Sequence, residues 1–112
     1  MKSGLYHVAF RSGNQDHGHG IVSLKSGVVN GGDDGYVYMG PLVANGNQLS
    51  GQLHVQRYDS THLSVFGPLG NFDLTLAGAA NDAAGTFAVA GHVTGQPGLK
   101  IQIEGRFLSP GA

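Results

Sequence analysis

The sequence predicts an all-β fold, an eight-stranded antiparallel up-and-down barrel, on three observations. Apolar and polar residues alternate with a period of two along most of the chain. In the closing run, Leu99, Ile101, Ile103, Gly105 and Phe107 share one face, and Lys100, Gln102, Glu104 and Arg106 share the other. Successive side chains of a pleated strand point to opposite sides, so this run has one buried and one wet face. Glycine-rich turns cut the pattern repeatedly, with 20 glycines in 112 residues against a usual share of about 7%. No stretch of helical length carries the periodicity of a helix. Strands adjacent in sequence hide their edges in a closed barrel or in two packed sheets. Short hairpin connections favour the barrel over the long crossovers of a Greek key.

The elements follow in order. Gly4 to Ser12 is the first strand, with Tyr6, Val8 and Phe10 on one face. His19 to Lys25 is the second, and Ser26-Gly27 turns it into the short run Val28-Val29-Asn30. The loop Gly31 to Gly35 precedes a strand from Tyr36 to Val43. Asn45-Gly46 reads as the two central residues of a type I′ turn, where both positions need positive φ. Leu49 to Tyr58 is the long central strand, with Leu49, Gly51, Leu53 and Val55 alternating. From Asp59 to Asn71 the alternation fails, and the stretch reads as a crossing of one barrel end with room for a short 3₁₀ turn. Phe72, Leu74 and Leu76 resume the pattern, and Asn81-Asp82 marks the next turn. Phe87, Val89 and Val93 follow, and Gln96-Pro97-Gly98 reads as the turn into the last strand. Glycines within strands, such as Gly20, Gly51 and Gly105, suit the tight bends of a small barrel.

Composition narrows the function. The expected unit is one domain over residues 1–112, long enough to bury about two thirds of its unfolded surface. Six Lys plus Arg stand against seven Asp plus Glu, so no basic stripe offers counterion release from nucleic acid. Cysteine is absent, which removes disulfides, thiolate metal sites and thiol nucleophiles. Met1-Lys2-Ser3-Gly4 leads straight into a strand without the apolar core of a signal peptide. No apolar run approaches the about 20 residues of a spanning helix. A cytoplasmic protein without a cofactor is the expectation.

Three groupings invite chemistry. His17 and His19 share a face beside Asp16 and Asp33-Asp34, but they supply two local ligands where zinc needs three or four. His7, His54 and His92 fall on polar strand faces. Ser60, Thr61 and Ser64 lie near His62 without a nucleophile-elbow pattern, and Asp33 and Asp34 point apart in an extended chain. Gly31 to Gly35 has no helix behind it to favour phosphate. No metal, catalytic or cofactor site is expected. Tyr36 and Tyr38 share a face, with Val37 and Met39 opposite, so both faces of that run are apolar. Tyr36, Tyr38 and Met39 are therefore candidates for a dimer contact. The tyrosines read equally as half-buried barrel aromatics with wet hydroxyls.

An ordered set of segments resembles the GrlR-like family: Lys2 to Tyr6, Val28 to Asp33 followed by Tyr38-Met39-Gly40, His54 to Tyr58, Ser64 to Gly67, and the closing run Leu99 to Phe107. The likeness spans nearly the whole chain. It implies a lipocalin-like eight-stranded barrel, a homodimer with an apolar cavity near the dimer contact, and negative regulation of type III secretion genes through contact with a transcriptional activator. One departure stands out. The founding regulator holds its activator with an acidic loop, Glu-Asp-Glu-Asp, before the long central strand. The matching turn here, Ala44 to Gln48, has no carboxylate, so Asn45, Gly46 and Asn47 are the candidate partner-binding loop without the charge that steers a basic partner.

Two functional readings emerge. One is a non-enzymatic, dimeric regulator acting through protein–protein contact. The other is a carrier of a small apolar ligand, lined by Leu53, Val55, Phe72, Leu74, Val89, Ile101 and Ile103, all inward by the alternation.

Overall fold

In the computed structural model, residues 1–12, 17–61, 66 and 69–112 are described. The strands are β1 (Gly4–Ser12), β2 (His17–Lys25), β3 (Val28–Gly32), β4 (Tyr36–Asn45), β5 (Gln48–Arg57), β6 (Asn71–Asn81), β7 (Thr86–Val93) and β8 (Gln96–Ser109). Each pairs antiparallel with its sequence neighbour, and β8 returns to β1, so the sheet closes. Tyr6 stands opposite Phe107 and Val8 opposite Gly105 across that seam. Asp16, His62, Ser64 and the Gly67-Pro68 pair lie outside the described residues, and with them part of the stretch expected to leave room for a short 3₁₀ turn. No helix among the described residues is long and apolar enough to cross a membrane.

Side-chain parity sets the core. Tyr6, Val8, Leu53, Val55, Leu74, Val89, Ile101 and Ile103 are buried, while Lys100, Gln102, Glu104 and Arg106 face solvent. Ladder bonds satisfy the buried backbone, leaving area burial as the main driving force. Two inward glycines are covered by rings. A Cβ on Gly105 would meet Phe87, its partner across β7–β8, and one on Gly18 would meet Phe10. Tyr6, Phe87 and Phe107 stack edge to face, with centroids 5.7 Å and 5.4 Å from Tyr6. Lys2 Nζ lies over the Phe107 ring, 4.5 Å from its centroid, and the Lys2 carbonyl accepts the Tyr6 hydroxyl at 2.7 Å. This cluster plugs one end of the barrel.

Two turns differ from expectation. Asn45 pairs with Gln48, so the central residues are Gly46 and Asn47 and not Asn45-Gly46. Only Gly46 has positive φ, at 63°, as a turn of type II′ requires. The β7–β8 turn is Thr94-Gly95, not Gln96-Pro97-Gly98: Gly95 takes φ 83°, and Val93 pairs with Gln96. Pro97 sits where the register shifts, between the Val93–Gln96 and His92–Lys100 pairs. Lacking an N–H, it fits an interrupted ladder. Ser26-Gly27 does form a two-residue turn, with φ of 53° and 75°, the two positive values of type I′.

Candidate functional site

The barrel interior above the aromatic plug is hollow. A cavity of about 770 Å³ is lined by Leu53, Val55, Phe72, Leu74, Val89, Ile101 and Ile103, together with Phe10, Tyr36, Tyr38 and Phe87. The seven aliphatic and aromatic residues named from the sequence thus lie on one wall system. Glycine makes room for it, since Gly18, Gly20 and Gly32 also border the space. His17, His19, Asp33 and Asp34 stand at its rim, on the end that carries the β1–β2 and β3–β4 connections. A volume in this range suits one small organic molecule.

The rim is organised by Asp33. Its Oδ1 accepts the backbone N–H of Gly35 at 2.9 Å and of Tyr36 at 2.8 Å. Its Oδ2 accepts the Tyr38 hydroxyl. Its backbone carbonyl accepts the Tyr58 hydroxyl at 2.6 Å, which ties the end of β5 to the β3–β4 loop. Burial, and then the Asp33 carboxylate, hold the Tyr38 hydroxyl well above the ordinary tyrosine pKa. The Asp33-Asp34-Gly35 string carries the signal for this loop, an Asx turn closed by glycine.

Tyr36 and Tyr38 turn inward and are 5% and 9% exposed. That takes both tyrosines off the outer surface, so of the three residues expected at a dimer contact only Met39 keeps an outward position. The alternation left either face open for burial. The inward choice goes with the Asp33 bonds to Tyr36 N–H and Tyr38 hydroxyl. Tyr38 also meets Phe10 edge to face at 5.9 Å. The Tyr36 hydroxyl is buried and has no hydrogen-bond partner among the described residues. No sequence pattern marked it.

The remaining candidates are spread over the outside. Asn45, Gly46 and Asn47 are exposed at the plugged end of the barrel. His7 and His19 face each other on the outer wall with ring centroids 5.5 Å apart. His54 Nδ1 lies 2.7 Å from Asp73 Oδ1 across β5–β6. His92 is half-buried on β7. Among the described residues, no three metal-ligating side chains gather.

A family model described as T3SS negative regulator, GrlR, matches residues 1–110. The chain belongs to the GrlR family. The eight-stranded closed barrel agrees with the fold that the resemblance implied. No curated protein matches the chain.

Proposed function

We propose that this GrlR-family chain is a non-enzymatic, cytoplasmic regulator that works as a homodimer through contact with another protein. The observation that carries the reading is the family match over residues 1–110. The surface argues for a partner recognised otherwise than by the acidic loop, because Asn45, Gly46 and Asn47 offer amides and backbone where carboxylates would steer a basic protein. A second copy has an apolar outer face available at Met39 and Val37, with Ile21 46% exposed across Gly32. Nucleic acid and membrane are not partners in this reading.

The test has two arms. Deleting the gene in its host and profiling transcripts is expected to raise a set of transcripts that depend on a DNA-binding protein recovered with this chain. Sedimentation at high micromolar concentration is expected to give a dimer. Unchanged transcripts together with a strict monomer would remove the reading.

The cavity supports a second reading, in which the barrel holds one small apolar molecule. The two are compatible, since a ligand that binds one state of the dimer better would shift partner affinity.

A further inference from the structure

We propose that the cavity is built for an uncharged apolar molecule carrying one hydrogen-bonding group, a hydroxyl or an ester or amide carbonyl, which meets the Tyr36 hydroxyl. This rests on the ligand-holding reading and adds the chemistry of the ligand.

The chain has four tyrosines, and three place their hydroxyls on acceptors. Tyr6 donates to the Lys2 carbonyl, Tyr38 to the Asp33 carboxylate and Tyr58 to the Asp33 carbonyl. Tyr36 is the exception among the described residues, although it is 5% exposed and lines the cavity. Buried hydroxyls are normally hydrogen-bonded, and an orphan in an apolar wall is a vacant anchor. The surrounding wall is aliphatic and aromatic, so the rest of the occupant is apolar.

Charge decides the head group. The described lining residues include no lysine or arginine, and besides the tyrosines the ionisable groups among them are Asp33, Asp34, His7, His17 and His19. A carboxylate head would enter a weakly screened space beside two aspartates with no lysine or arginine to meet it. An ammonium head finds no better place inside. Asp33 already serves two backbone N–H groups and the Tyr38 hydroxyl, and a lone phenol does not offset the desolvation of a buried cation. A neutral donor or acceptor is the group that Tyr36 satisfies as either partner.

The experiment uses the intact protein and four probes of equal chain length: decan-1-ol, decanoate, decylammonium and decane. Each displaces the fluorescent apolar dye N-phenyl-1-naphthylamine, from the wild type and from Tyr36→Phe. The substitution keeps the ring and the backbone bond to Asp33, and a melting curve checks that the barrel is intact. Decan-1-ol is expected to bind the wild type more tightly than either ion. Tyr36→Phe is expected to weaken decan-1-ol about five- to tenfold, the effect of one buried neutral hydrogen bond, with decane changed less than about twofold. If the probes bind but Tyr36→Phe leaves decan-1-ol unchanged, or decanoate binds best, the head-group assignment fails and the ligand-holding reading survives. If neither the dye nor any probe binds, both fail.

Discussion

Gly105 and Phe87 make the sharpest test of how this barrel packs. Gly105 is buried on β8, directly opposite Phe87, and a Cβ there would run into three atoms of the Phe87 ring. Its backbone has no positive φ, so alanine meets a steric obstacle and not a conformational one. Overpacking of this kind costs about 1–3 kcal/mol. Replacing a strand glycine returns about 0.5–1 kcal/mol of chain entropy. Gly105→Ala should therefore lose about 1–2 kcal/mol net, or about 4–8 °C in Tm for a domain of this size. Phe87→Leu removes the ring atoms that obstruct the methyl, at a cost of its own of about 1–1.5 kcal/mol. In that background Gly105→Ala should become neutral or slightly stabilising, which gives a coupling of about 1–3 kcal/mol. Guanidinium unfolding followed by far-ultraviolet circular dichroism measures all four corners, and an unchanged m-value licenses the comparison. An equal loss in both backgrounds would show that the ring does not cover the glycine.

Asp33→Ala removes an acceptor from two N–H groups and the Tyr38 hydroxyl, and should cost about 2–4 kcal/mol in the same assay. The buried Tyr38 hydroxyl keeps its proton above the ordinary tyrosine pKa of about 10, whereas the unfolded chain releases it. Stability is therefore full below that pH and falls above it, by up to about 1.4 kcal/mol per pH unit from this group. Tyr38→Phe should flatten the slope between about pH 10 and 11.5, as unfolding titrations would show. Tyr6, raised by burial and then by Asp82, adds to the same alkaline loss. The exposed His54–Asp73 pair contributes little, so Asp73→Asn should stay within about 0.5 kcal/mol of wild type. Ser26 holds φ 53°, and Ser26→Asn should gain about 0.5 kcal/mol in thermal unfolding.

Parity was readable from residues alone wherever one face was clearly oily. Tyr6 and Val8, Leu53 and Val55, and Ile101 and Ile103 all point inward as the alternation demands. It failed to decide where both faces were apolar, at Tyr36 to Met39, because the choice rests on Asp33 bonding across a turn. Turn register was misplaced at Asn45-Gly46 and at Gln96-Pro97-Gly98, where several turn-forming residues stand together. Ladder pairing on both sides, and not local preference, selects which of them sit at the tip. Whether the interior is filled depends on side-chain volumes summed around the whole wall, which no linear pattern reports. The orphan Tyr36 hydroxyl was hidden for the same reason, since lacking a partner is a property of three-dimensional surroundings.

The seam between β1 and β8 imposes an order on synthesis. Every other ladder links neighbours and can zip as soon as its hairpin leaves the ribosome, but β1 must wait until the final segment emerges. Until then the nascent sheet carries two bare edges, ready to recruit a stray strand from another copy. A ribosome that stalls before residue 96 would release a sticky ribbon where a cylinder was intended.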